Sequence, residues 1–282
     1  MPLRWMLIML AATSCAAQVQ PDASAPATPS PASTQPAATS IPAGSTEVPT
    51  DELLDAMEKL GVEMRTLRAE VAMSQVDAAN GDDSTRSGTI WLQRRGPGDT
   101  RGRVLFEKLK ANNRTVAEKI EYLLDGDWVT DRVYGRGAND PAGKRETRRQ
   151  VRAPGDKTDL LKLGEGPFPL PIGQPREAVH AQYLVTKLPP DEADKPGLVG
   201  LELRPRETNR LSRTYETIVV WVDPNDAMPR VVETVDPNGG TARTTRLSNV
   251  KINADVTDAD FTLPPVGDDW SVVTEAWKEP TR

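Results

Sequence analysis

Residues 228–252 read Met-Pro-Arg-Val-Val-Glu-Thr-Val-Asp-Pro-Asn-Gly-Gly-Thr-Ala-Arg-Thr-Thr-Arg-Leu-Ser-Asn-Val-Lys-Ile, and this stretch decides the fold class. Asp236-Pro237-Asn238-Gly239 places Pro at the second position of a type I turn and Gly where a left-handed residue is needed. The turn joins a β-branched run, Pro229 to Val235, to a second run, Thr241 to Ile252. The pair is a hairpin, and a hairpin needs further strands before it is stable. Upstream, Ile218, Val220 and Val222 alternate, as do Val199, Leu201 and Leu203.

Working toward the N-terminus, the spans 88–94, 103–110, 116–124, 127–134 and 144–152 read as short strands divided by turn residues. Asp125-Gly126 carries a type I′ signal, which would set Leu123 opposite Trp128 and Tyr122 opposite Val129. Between the strand groups, residues 156–187 hold Leu160, Leu161 and Leu163, then a Pro/Gly-rich break, then a short helix from Arg176 to Leu184. Ahead of all strands, Leu53, Met57, Leu60, Met64, Leu67 and Val71 recur at four- and three-residue steps, one apolar helical stripe. Thr50 is the expected N-cap, with Asp51 and Glu52 in the first turn. The helix is expected to run to about Thr66 and give way to a strand in which Ala69, Val71, Met73 and Gln75 alternate. Several strands are apolar on both faces, with Ile90 and Leu92 against Trp91, and Val219 and Trp221 against Val220 and Val222. Either helices cover one face while strands curl over the other, or one concave face is kept apolar for a ligand.

The 282 residues carry 37% hydrophobic residues, 25 Pro, one Cys (Cys15) and one His (His180), with a formal net charge of -6. That charge gives no global basic field for nucleic acid. No Cys/His zinc cluster or internal disulfide can form within one copy, and a Cys–His or Ser–His–Asp site would rest on His180 alone. The low apolar content is concentrated at the start. Residues 1–15 read as a signal peptide: Arg4, the apolar core Trp5 to Leu10, then small residues. Cys15 follows Ala-Thr-Ser as a bacterial lipobox cysteine would, so lipidation at Cys15 is expected; the alternative is ordinary cleavage after Ala16 or Ala17. Residues 16–48 form an Ala/Pro/Ser/Thr-rich linker too poor in apolar bulk to offset the entropy of ordering. Residues 49–267 make the folded domain, and 268–282, with Trp270 and Trp277, form a C-terminal extension.

This order of elements resembles the LolA/LolB lipoprotein-carrier superfamily, which takes in lipid-binding lipoproteins of the LppX type and the sensor RseB. The resemblance is carried by the helix running into a strand (Leu53 to Gln75), by Gly88-Thr89-Ile90-Trp91-Leu92, and by Asp125-Gly126-Asp127-Trp128. It is closest at the end: Met228-Pro229-Arg230-Val231, the 236–239 hairpin, Leu247-Ser248-Asn249-Val250, and Asp258-Ala259-Asp260-Phe261-Thr262-Leu263-Pro264-Pro265. It implies an α+β fold, a strongly curved antiparallel sheet forming an open half-barrel, covered by the N-terminal helix and the helical insertion. It further implies a non-enzymatic periplasmic protein, lipid-anchored to the outer membrane through Cys15, whose partners are lipid or lipoprotein acyl chains. No cofactor, metal or nucleic acid is implied. Each buried methylene contributes about 0.8 kcal/mol, so an apolar hollow suffices for such cargo. Candidate cavity residues are Ile90, Leu92, Leu105, Ile120, Tyr122, Leu201 and Leu203. The rival reading is an envelope sensor or scaffold that binds a protein partner with the same fold; an uncharacterised hydrolase ranks third.

Other motifs lead elsewhere. Residues 137–144 mimic a phosphate loop, but the spacing is one residue too long and Arg145 stands where Ser or Thr would bind magnesium. Lys144, Arg145, Arg148, Arg149 and Arg152 are read as protecting an edge strand rather than touching anionic headgroups. Asp191 to Asp194 and Asp255 to Asp260 lack the ligand pattern of a calcium loop and read as solvated turns.

Overall fold

A computed structural model describes residues 48–77, 81, 83–96, 99–135, 143–151, 172–191, 193–237 and 239–277. The leader with Cys15, the linker up to Glu47, the Leu160–Leu163 stretch, Arg152 and most of the 137–144 segment lie outside the described residues.

Helix α1 spans Thr50–Glu63. Its N-cap is Pro49 rather than Thr50, and no side chain caps it; the Leu53 amide donates to the Pro49 carbonyl instead. Proline suits a helix entrance because its fixed φ is already that of the preceding extended chain. Met64 turns extended and the chain enters β1, Thr66–Asp77, close to the expected change. There follow β2 Asp83–Gly96, β3 Asp99–Ala111, β4 Arg114–Asp125, β5 Trp128–Val133 and β6 Lys144–Gln150. Helix α2 (Arg176–Gln182) stops two residues short of expectation, because Tyr183 is fully buried in extended backbone at the start of β7, Tyr183–Lys187. The last strands are β8 Val199–Pro205, β9 Thr217–Asp223, β10 Met228–Val235, β11 Thr241–Ile252 and β12 Trp270–Glu275.

All twelve strands belong to one sheet, ordered β12-β6-β5-β4-β3-β2-β1-β11-β10-β9-β8-β7, so it is open at β12 and β7. Every pairing is antiparallel except β12 on β6. The fold is α+β, a curved sheet that stops short of closing into a barrel. Register shifts interrupt β1/β11, β2/β3, β3/β4 and β9/β10. An extra residue on one strand bends it and increases its twist, so these irregularities are where the sheet acquires curvature. Gly88 sits at one of them, and a Cβ there would stand 1.8 Å from the Leu105 carbonyl oxygen.

The 236–239 turn forms as read: the Gly239 amide donates to the Asp236 carbonyl at 2.8 Å and Gly239 has φ +63°. The 125–128 hairpin is centred one residue later than expected. Asp125 pairs with Trp128 and Tyr122 with Asp131, because the central pair is Gly126-Asp127. Gly126 has φ +59° and Asp127 is not in the left-handed region, which fits a type II′ turn with Gly first rather than type I′.

One face of the sheet carries the core. Leu67 and Val71 of β1, Ile90 and Leu92 of β2, Val104 and Phe106 of β3, and Leu201, Leu203, Ile218 and Val220 of β8 and β9 share a single cluster with Leu53, Leu54 and Met57 of α1. Burying each such side chain contributes roughly 1.5–3 kcal/mol. Arg176 fastens α2 to α1 by an ion pair with Asp55 at 2.8 Å, and its amide donates to Glu58 at 3.2 Å.

The other, convex face is crossed by the chain after β11. Asp258–Phe261 forms a 3₁₀ turn whose Thr257 and Asp260 make a capping box, and Phe261 is buried with the Arg101 guanidinium 4.1 Å from its ring centre. Arg103 donates to the Asp260 carbonyl (2.9 Å) and Arg132 to the Pro264 carbonyl (2.6 Å). Trp270 packs edge-on against Tyr134, with ring centres 5.0 Å apart, and β12 then lies along β6. The extension is therefore a strap that ends as the terminal strand. It also means β6 is not an edge: Lys144 pairs with Asp269 (2.6 Å), Arg149 with Glu275 (2.7 Å), and Arg148 lies over Trp128.

Gly61 lowers helix propensity in α1, yet a Cβ there would fall 2.0 Å from Gly173 Cα, backbone against backbone. Gly61→Ala is expected to lower stability by about 1–3 kcal/mol through overpacking, outweighing the roughly 1 kcal/mol propensity gain. A drop in the urea unfolding midpoint with unchanged slope checks it.

Candidate functional site

Alternation along the strands and the registers between them settle which side chains share the concave face. From β2 to β6 the rows run Leu92–Gly102–Leu124–Val129–Arg149, Ile90–Val104–Tyr122–Asp131–Thr147, and Gly88–Phe106–Ile120–Val133–Arg145. Beneath α1 this face is tightly packed: Ile90, Leu92, Leu201 and Leu203 are only 1–3% exposed and Ile120 6%. Toward β4–β6 the packing loosens. Tyr122, Val129, Asp131, Val133, Arg145, Thr147 and Arg149 are all half-buried, and Tyr122 meets Phe106 edge-on at 6.3 Å.

Of the seven residues singled out from sequence, six lie on this face. Leu105 does not. It pairs with Thr89 and Glu121 on the convex side, because Val104 and Phe106, with 0% and 2% exposure, take the inward positions. Val133, inward and half-buried, was not singled out; its alternation with Arg132 was the available signal.

The β4–β6 end of the face is polar. Arg86 and Glu118 form an ion pair at 2.6 Å, with both side chains largely buried. Asp131 stands directly opposite Tyr122, and its Oδ1 is buried with no hydrogen-bond donor. Burial pushes the Asp131 carboxyl above its ordinary value, only partly opposed by the charges of Arg145 and Arg149. Burial, reinforced by Asp131, likewise pushes the Tyr122 phenol up.

The convex face behaves oppositely. Glu121 is fully buried, and burial alone would raise it. The hydrogen bonds from Tyr134 and Arg103, with the charges of Arg103 and Lys119, instead hold its carboxyl below the usual range. Arg103 and Arg68 flank the Trp91 ring at 5.4 and 6.0 Å. Beside them a cleft of about 410 Å³ is lined by Arg68, Lys251, Asn253, Ala254 and Asp255. His180 is half-buried and 3.0 Å from Asp51. Among the described residues no three His, Cys, Asp or Glu side chains are grouped to hold a metal, and no helix is long and apolar enough to cross a membrane.

No family model matches the sequence, and no curated protein matches it. Among solved structures there is likeness at low identity. The chain is similar to proteins of the LolA superfamily. A LolA superfamily protein from Nitrosomonas europaea shares 13% identity over 77% of this chain and 98% of its own, with a TM-score of 0.31. A putative outer membrane lipoprotein-sorting protein domain from Vibrio parahaemolyticus shares 15% over 75% and 95%, with a TM-score of 0.34. The MucA/MucB complex of Pseudomonas aeruginosa supplies a chain sharing 13% over 82% of this chain and 66% of its own, with a TM-score of 0.41.

The raised Asp131 carboxyl has a consequence for stability. Because it binds its proton more tightly folded than unfolded, the contribution is favourable below the ordinary carboxylate value and is lost as pH rises through the raised one. Asp131→Asn should therefore be more stable than the native chain at pH 7, by on the order of 1 kcal/mol. The gain should shrink as pH falls below the ordinary carboxylate range. Thermal melts of both proteins from pH 3 to pH 7 measure this.

Proposed function

We propose that the protein is a non-enzymatic lipid- or lipoprotein-binding protein of the bacterial periplasm, holding acyl chains on the concave face of its open sheet. The supporting observation is the pattern of burial on that face. Apolar side chains run without a break from Leu201 and Leu203 beneath α1 to Ile120, while the face is only half-covered at Tyr122 and Val133. An acyl chain enters over Val133 and Tyr122 and extends toward Ile120, Ile90 and Leu92 as α1 yields. Each methylene moved from water contributes about 0.8 kcal/mol, so a fatty chain needs only a modest length of this surface.

Filling the half-covered end should block entry. Val133→Trp is expected to lower the amount of acyl species co-purifying with the protein at least severalfold, measured by native mass spectrometry before and after delipidation. Leu105→Ala, on the convex face, should leave it unchanged. A native protein that carries no acyl species and takes none up after delipidation favours instead the scaffold reading, in which the same fold binds a protein partner.

Anchoring is the second part of the proposal. With Cys15 acylated, the protein stays at the outer membrane and acts as a receptor rather than a soluble ferry. Radiolabelled fatty acid should be incorporated into the native chain and not into Cys15→Ser; equal labelling of both excludes the anchor.

A further inference from the structure

The polar end of the concave face is poorly explained by acyl chains alone. Asp131 and Arg145 are diagonal neighbours there: Asp131 pairs with Thr147, Val133 with Arg145, and all four point inward. Such positions are about 7–8 Å apart, close enough for a carboxylate and a guanidinium to meet. They do not. Among the described residues Asp131 Oδ1 has no hydrogen-bond donor and Arg145 makes no ion pair, although Asp131 feels the charge of Arg145. Arg149, in the next row, is already engaged by Glu275. A buried carboxylate oxygen without a donor costs free energy, and an opposite charge within reach that leaves it unpaired indicates that each is kept for something else.

Resting on the reading of the concave face as an acyl-binding surface, we propose that Asp131 and Arg145 form a headgroup site for a zwitterionic phospholipid with a primary ammonium, the ammonium donating to Asp131 Oδ1 and the phosphate accepting from Arg145. The charges match one for one. Asp131 Oδ1 is a buried acceptor that lacks a donor, so a cation bound there must carry N–H groups; a quaternary ammonium cannot satisfy it. Tyr122, opposite Asp131, and the apolar row Phe106–Ile120–Val133 place hydrocarbon directly beside this pair.

The test uses the delipidated full-length protein and four probes: lysophosphatidylethanolamine, lysophosphatidylcholine, monoacylglycerol of the same chain length, and soluble phosphoethanolamine. Binding is read by native mass spectrometry and by titration of the intrinsic fluorescence. The native chain should prefer the ethanolamine lipid to the choline lipid by at least about tenfold, the range of a hydrogen bond to a charged group. Asp131→Asn should erase that preference while still binding both, and Arg145→Gln should lower affinity for the two phospholipids toward that of monoacylglycerol. Equal affinity of the native protein for ethanolamine and choline lipids, or an undiminished preference in Asp131→Asn, overturns the headgroup site but leaves acyl binding standing. Phosphoethanolamine binding as tightly as the lyso-lipid shows that a free headgroup is the ligand and overturns the lipid assignment. If no probe with a chain binds, acyl carriage itself falls, and the headgroup site with it.

Discussion

A fourteen-residue helix is about 21 Å long, whereas twelve strands laid flat would extend over about 50–55 Å. No arrangement of one such helix and the seven-residue α2 can cover a flat sheet of that breadth. The sheet must curl until its halves meet the same cover, and bulges in four strand pairs supply the bend. Curling brings Leu67 and Ile90 from one half and Leu201 and Val220 from the other into one core cluster with Leu53 and Met57. It covers β5 and β6 less well: their inner side chains, with Tyr122 of β4, stay half-buried and partly polar. The functional reading and the headgroup site both follow from this shortfall of cover.

Having curled inward, the sheet must also be kept from springing flat, and the convex face shows how. Arg103–Glu121 and Arg132–Glu146 are ion pairs with little exposure, at 2.5 Å each. Buried pairs of this kind are seldom a net source of stability compared with apolar residues, because desolvating both charges offsets their attraction. Their guanidinium groups, however, carry more donors than the carboxylates use, and the surplus reaches the Asp260 and Pro264 carbonyls. That fixes where the strap lies. A greasy convex face would hold the same segment with no preferred position.

Much of this architecture was legible because its causes are local. The α1 stripe, the 236–239 turn and the alternation in β8 and β9 each depend on neighbours within a few residues. Where the outcome turned on distant partners, reading failed. Trp270–Glu275 gives no strand signal that outweighs its tail position, yet it pairs with β6 across some 125 residues, and that pairing removes β6 from the edge its basic run suggested. At the 125–128 hairpin two adjacent centres were open to one glycine, and a one-position change moved every cross-strand pair. Leu105 shows the matching limit for the site: an apolar residue in an apolar run faces inward or outward according to register, and register is a property of the pair. The polar end of the concave face was illegible for the same reason, since Asp131 and Arg145 become neighbours only once β5 and β6 align.

The Lys187 ammonium donates to the Val48 carbonyl at 2.8 Å, so the chain enters the domain beside β7, at one rim of the sheet, while β12 closes the other. Between that entry point and the first ladder lies only α1. Tension applied to the residues ahead of Val48 would load this hydrogen bond first and then, along the helix, the contacts of Asp51 with His180 and of Asp55 and Glu58 with Arg176, before any strand is loaded. Traction from the amino-terminal side thus acts on the cover of the core before it acts on the twelve-stranded ladder.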